Sequence, residues 1–272
     1  MERRTISQAR SLRGTGVWTG EEVEVVARPA PAGQGIVFVR EGARIPATLG
    51  HAVEAPNCTG LRAGEAEVYT VEHLLSAAAG LGVTDLTVEV SGPELPLLDG
   101  SARPFVQLLQ AAGLQGLGAH CGPIRLREPV RVGEGHVMLI AMPAPCTRLA
   151  YWLEHAHPLI GRQYACFWPD RNAYAEELAG ARTFVTEAEA SALIAEGWLK
   201  SGGEENAIVA YDDRLSEEPR LPAAFARHKI VDLLGDLWLL GRPVLADVVG
   251  WRSGHRENMA LAQRIQAQAE LP

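Results

Sequence analysis

The stretch from Phe225 to Leu237 restricts what this chain can fold into more than any other. Ile230, Leu233, Leu234 and Leu237 recur at three- and four-residue spacing, the period of one apolar helix stripe. Beside that stripe stand His228, Asp232 and Asp236, each four residues from the next, so a helix stacks them along one face. An imidazole and a carboxylate one turn apart can hold one metal ion. Two ligands do not make a site, so a third must come from elsewhere in the chain.

The rest of the chain supplies strands and helices in a repeating order. Val23–Ala27 and Gly35–Arg40 read as strands, and residues 44–69 as short strands and loops. A helix follows from an N-cap at Thr70 to Gly80 or Gly82, then a strand at Asp85–Val90. Pro104 opens a second helix that Gly113 closes. Gly116, Gly118, Gly122 and Pro123 mark residues 114–123 as a linker. Strand-like segments resume at Ile124–Val132, Val137–Met142 and Leu149–Leu153. A helix over 186–200, a short strand at Ala207–Ala210, the 225–237 helix, a strand at Val244–Val249 and a last helix from about Glu257 complete the chain. Strands precede helices in each half, which predicts α+β layers rather than alternating βαβ units. The 272 residues suffice for two domains of about 130 residues, each burying its own core. The halves show no direct sequence match.

Charge and cysteine usage exclude several functions. A net charge of −8 argues against bulk binding to nucleic acid or anionic membranes, which needs a basic excess. Cys58, Cys121, Cys146 and Cys166 form no Cys-x-x-Cys pair, which disfavours thiolate zinc sites. The N-terminus lacks the apolar core of a signal peptide, and no apolar run is long enough for a transmembrane helix. A reduced, cytoplasmic protein is expected.

Glu72 and His73 are adjacent at the start of a helix. His73, His228 and Asp232 would give three protein ligands and leave a fourth position for water, as catalytic zinc sites do. Glu72 is then the candidate base, His255 the candidate acid, and Asp236 a carboxylate able to hold an imidazolium. On spacing alone, plainer readings compete. A single His at a helix start is ordinarily a surface or capping residue. His-x-x-x-Asp is ordinarily a solvated helix face, and Lys229 a surface lysine. No short sequence rule joins His73 to His228, more than half the chain away.

Longer motifs add to this. Thr70-Val71-Glu72-His73-Leu74-Leu75-Ser76-Ala77, Pro96-Leu97-Leu98-Asp99-Gly100-Ser101-Ala102 and Ala181-Arg182-Thr183-Phe184 are followed by Gly202-Gly203 with Glu205-Asn206-Ala207. His228-Lys229-Ile230-Val231-Asp232, Gly235-Asp236-Leu237 and Ser253-Gly254-His255 come next. In this order the set resembles the UDP-3-O-acyl-N-acetylglucosamine deacetylases of lipid A biosynthesis, over about residues 5 to 265. The resemblance implies a zinc amidohydrolase of two similar two-layer α/β domains forming a β-α-α-β sandwich. The first would span 1–118 with Glu72 and His73, the second 119–272 with His228, Asp232 and His255. It implies His73, His228 and Asp232 as ligands of Zn2+, with Fe2+ suiting the same set. Glu72 becomes the base and His255 the acid, oriented by Asp236. Thr183 would hold the water or oxyanion, Lys229 would face the substrate, and Phe184 would pack on the sugar. An insert at about 183–206 would line a passage for the acyl chain, with Leu193, Ile194, Trp198 and Leu199 as apolar walls. Gly203 and Arg252 complete the implied substrate contacts, Arg252 at the diphosphate.

Two departures bear on specificity. The family's Leu-His-Ser-Gly turn is here Val17-Trp18-Thr19-Gly20, and Trp18 cannot bind metal. Met142 stands where a basic residue is often found, which removes a contact to the nucleotide end. The expected partner is a UDP-linked acylated amino sugar and the expected state a monomer. A related deacetylase of another amino sugar, or a non-catalytic zinc or sugar-nucleotide binding protein, are the competing readings.

Overall fold

Val23, Val25 and Ala27 are buried while Glu22, Glu24, Val26 and Arg28 face outward, so Glu22–Pro29 folds as a strand with one face on a core. The computed structural model describes residues 1–169 and 173–269. The first half runs β1 (Glu2–Ile6), β2 (Arg10–Thr15), β3 (Glu22–Pro29), β4 (Ile36–Arg40), β5 (Ala43–Pro46), β6 (Ala52–Ala55), β7 (Cys58–Ala63) and β8 (Ala66–Val68). Then come α1 (Glu72–Leu81), β9 (Leu86–Val90), α2 (Arg103–Ala111) and β10 (Leu114–His120). The second half runs β11 (Ile124–Arg125), β12 (Val130–Val132), β13 (Met138–Pro143), β14 (Arg148–Glu154) and β15 (Arg162–Phe167). It continues through β16 (Phe184–Thr186), α3 (Glu187–Ala195), β17 (Ile208–Ala210), α4 (Ala224–Leu237), β18 (Val244–Trp251) and α5 (His255–Ala269).

The two main sheets share one topology. Their orders are β2-β3-β9-β4-β5 and β12-β13-β18-β14-β15. In each, the strand that follows the first core helix enters the middle: β9 pairs antiparallel to β3 and parallel to β4, and β18 does the same with β13 and β14. The strands-first order of each half thus produces an α+β fold built twice. α4 packs on β14 and β15 from one side and along α1 on the other, and α1 in turn packs on α2. The helices therefore lie between the two sheets.

The α1–α4 contact is the closest in this seam. A Cβ at Gly235 would lie 2.1 Å from the carbonyl oxygen of Glu72, so only glycine allows α4 to cross the start of α1 at this distance. This crossing sets Glu72 and His73 beside the His228–Asp236 face. Among the described residues no helix is long and apolar enough to cross a membrane.

Several local features differ from expectation. Thr70 is not an N-cap: its φ of 60° is left-handed, Val71 occupies the cap position and α1 starts at Glu72. Its hydroxyl accepts a hydrogen bond from Trp18 Nε1 instead. Gly82, with φ 70°, ends α1 as a left-handed cap. Residues 114–120 are not a loose linker but strand β10, paired with β1 from Ile6–Leu114 outward. The predicted helix over 186–200 covers only Glu187–Ala195, opened by a Thr186–Glu189 capping box.

Candidate metal and catalytic site

Glu72, His73, His228, Asp232 and Asp236 are all buried, at 3% exposure or less. Polar groups at such depth must find partners in one another. The α1 start supplies the first two and one face of α4 the other three. The Asp232 Oδ1 atom lies 3.3 Å from His228 Nε2 and 3.8 Å from His73 Nε2. Bonds of about 2.1 Å to a tetrahedral ion separate its ligand atoms by roughly 3.4 Å. These distances bracket that spacing, and all three ligand atoms lie within 4.8 Å of one another. The two imidazole rings stand nearly perpendicular, 88° apart.

The protonation states suit the same purpose. His228 Nδ1 lies 3.1 Å from the Ala181 carbonyl, an acceptor, so Nδ1 carries the proton and Nε2 keeps a lone pair toward Asp232. Burial lowers the His228 pKa to about 4, despite Asp232, and leaves the ring neutral. Burial works against charge on Asp232, but Lys229 and His228 hold its pKa well below the usual carboxylate range. Lys229 Nζ donates to Asp232 Oδ2 at 2.8 Å. Burial disfavours its charge too, but Asp232 keeps the lysine pKa above its usual value. Lys229 is therefore engaged with Asp232.

A second polar cluster adjoins the first. His255 Nδ1 and Asn258 Nδ2 each lie 2.8 Å from Asp236 Oδ2. Thr59 Oγ1 donates to Asp236 Oδ1 at 2.5 Å, and the Thr59 backbone N–H donates to Glu72 Oε2 at 2.9 Å. Burial opposes charge on His255, yet Asp236 raises its pKa to about 9. Burial raises the Glu72 pKa, against the lowering influence of His255 and His73. The pair can thus act as a carboxylate poised to take a proton and an imidazolium poised to give one.

Phe184 packs next to this centre, its ring 4.7 Å from Phe225 and 6.5 Å from His228. Thr183 precedes it, with its N–H donating to the Gly100 carbonyl at 2.7 Å. The Asp99-Gly100-Ser101 and Arg182-Thr183-Phe184 motifs therefore meet, and Arg182 Nε also donates to the Asp99 carbonyl. Gly203 belongs to a turn in which its N–H donates to Asn206 Oδ1. Arg252 has a left-handed φ of 55° and points toward Glu154, 3.9 Å away. Met142 sits on β13 opposite Asp247 of β18, and Asp247 is paired with Arg148.

The insert stands apart from the core. No residue of α3 is buried; Leu193 is half-buried, and Ile194 and Trp198 are exposed. Trp198 meets Trp18 edge to face, with ring centroids 6.3 Å apart. Ser201 Oγ donates to the Gly16 carbonyl, so the insert docks on the 16–20 turn. That turn is fixed by Glu94, whose carboxylate accepts from the Trp18 and Thr19 N–H groups and the Thr19 hydroxyl. Sequence reasoning missed Thr59, Asn258 and Glu94. Thr59 lies 177 positions from Asp236, beyond any local spacing rule.

The sequence matches known proteins over nearly its whole length. The family model described as UDP-3-O-acyl N-acetylglycosamine deacetylase matches residues 3–267. A protein of Anaeromyxobacter dehalogenans (strain 2CP-C) named UDP-3-O-acyl-N-acetylglucosamine deacetylase is 38% identical over 268 residues, covering 97% of this chain and 87% of that protein. One of the same name from Myxococcus xanthus (strain DK1622) is 37% identical over 269 residues, covering 96% and 85%.

Proposed function

We propose a reaction for this chain from the premise that it belongs to the UDP-3-O-acyl-N-acetylglucosamine deacetylase family. It hydrolyses the acetamide of UDP-3-O-acyl-N-acetylglucosamine and releases acetate, a step of lipid A biosynthesis. The observation that carries the reading is the His73, His228 and Asp232 set at tetrahedral-edge spacing, next to Glu72 and the His255–Asp236 pair.

The donor set fits a divalent ion: two imidazoles, of which burial keeps His228 neutral, and one carboxylate held ionised, with Lys229 balancing the charge of Asp232. We assign Zn2+, and Fe2+ suits the same ligands. Held there, the ion supplies Lewis-acid polarisation of the acetamide carbonyl. The chain's own residues do the rest. Glu72 takes the proton from the attacking water. The Thr183 hydroxyl donates to the oxyanion that develops on the former carbonyl oxygen. His255, its Nδ1 held by Asp236, gives the Nε2 proton to the departing sugar amine.

Phe184 packs on the sugar and Arg252 contacts the diphosphate. Gly203 shapes the adjoining turn, and Leu193 and Trp198, with Trp18 opposite, take the acyl chain. We treat 1–118 and 119–272 as the two domains and place the enzyme in the cytoplasm as a monomer. Rates on UDP-linked and nucleotide-free acylated glucosamine test the substrate. The UDP-linked form should turn over faster, and equal rates would remove the lipid A assignment.

A further inference from the structure

Thr59 touches both ends of the proposed proton path. It lies on β7, is 2% exposed, and belongs to the first half of the chain. Its backbone N–H holds Glu72 Oε2, also of the first half. Its hydroxyl reaches across the seam to Asp236 and lies 3.2 Å from His255 Nδ1, both of the second half.

The proton count fixes the direction of these bonds. A hydroxyl has one proton, and Thr59 gives it to the Asp236 Oδ1 atom, 2.5 Å away. Toward His255 the same oxygen can then only accept. Nδ1 must carry a hydrogen, shared between Asp236 Oδ2 and Thr59 Oγ1, and Nε2 is left as the nitrogen that exchanges a proton with substrate. Asp236 is fully buried and takes Thr59 on one oxygen and His255 and Asn258 on the other. Without the hydroxyl, Oδ1 loses its one protein donor among the described residues, and the carboxylate is held through Oδ2 alone.

We propose that Thr59 is a positioning residue of the hydrolysis, which locks the Asp236–His255 pair of the second half against Glu72 of the first so that acid and base keep one spacing. This rests on the roles given above to Glu72 and His255. Thr59 touches no reacting atom in this scheme and acts through those two residues.

The test uses metal-loaded full-length protein on UDP-3-O-acyl-N-acetylglucosamine, with Thr59→Val, Thr59→Ser, Asp236→Asn and the Thr59→Val/Asp236→Asn double variant. Valine keeps the shape and the backbone N–H but removes the hydroxyl. Losing a supporting hydrogen bond of this kind costs about 10- to 100-fold, which should appear in kcat with KM within about twofold. Bound metal per chain should stay at the wild-type value, Tm should fall by no more than a few degrees with the protein fully folded at the assay temperature, and Thr59→Ser should recover kcat to within about threefold. On the Asp236→Asn background Thr59→Val should cost less than about threefold, because both changes remove one restraint. Full kcat in Thr59→Val, or equal losses in the Ser and Val variants, would overturn the proposal. So would a loss that follows metal content or partial unfolding at the assay temperature, or one that multiplies fully on Asp236→Asn. A wild-type protein that releases no acetate would instead overturn the reaction assigned above, and this role with it.

Discussion

Gly235→Ala tests how the helix crossing serves the site. The added Cβ would lie 2.1 Å from the Glu72 carbonyl oxygen and 2.9 Å from its carbon. A carbon and a carbonyl oxygen settle at about 3.3 Å, so the contact is short by roughly 1.2 Å. The clashing atoms are backbone, so no rotamer change relieves it, and α1 and α4 must separate by about 1 Å. Overpacking of this kind costs about 1–3 kcal/mol, and the higher helix propensity of alanine returns about 1 kcal/mol. The net loss of stability is then at most about 2 kcal/mol, a Tm drop of a few degrees, roughly 4–8 °C. Function should suffer more, because His73 lies on one helix and His228 and Asp232 on the other. Metal sites tolerate about 0.2 Å, and a misplacement of about 1 Å can cost about 100-fold in rate. Competition with a chromogenic chelator should show metal affinity at least about tenfold weaker, and kcat should fall about 100-fold, in a protein that still melts cooperatively. A Gly235→Ala protein with wild-type metal affinity and kcat would refute the claim that this crossing sets the ligand spacing.

Glu72→Gln should keep the bound metal, read by elemental analysis, and lower kcat by about 10²- to 10⁴-fold, the usual loss for a general base. His255 gives a pH dependence of stability. Its folded pKa of about 9 lies above the unfolded value near 6.5, so its pairing with Asp236 contributes fully below pH 6.5 and is lost as pH rises through 9. Denaturant unfolding of metal-free protein should show a fall on the order of 3 kcal/mol across that window, and His255→Gln should flatten it. Trp198→Ala should remove the contact with Trp18 and shift the preferred acyl-chain length without loss of bound metal, read by kcat/KM over a series of chain lengths.

The 225–237 helix was legible because its apolar stripe and ionisable row both follow the helical period. The pairing of that row with His73 was not, because it depends on a glycine crossing between helices far apart in sequence; the whole-chain resemblance supplied it. The twofold topology was hidden from any match between the halves because backbone pairing repeats where side chains do not; the strands-then-helices order and the resemblance pointed to it. Thr70 misled as a capping residue because its left-handed turn and its bond to Trp18 depend on the distant 16–20 turn. Thr59 and Glu94 were invisible for a related reason: their partners lie 177 and about 75 positions away.

The most direct measurement is acetate release from UDP-3-O-acyl-N-acetylglucosamine, quantified with the free amine product, before chelation, after chelation and after Zn2+ is restored. Equal amounts of acetate and amine, abolished by the chelator and recovered with the metal, are predicted. Folded, metal-loaded protein that releases no acetate, or release that persists undiminished after the metal is stripped, would contradict the account.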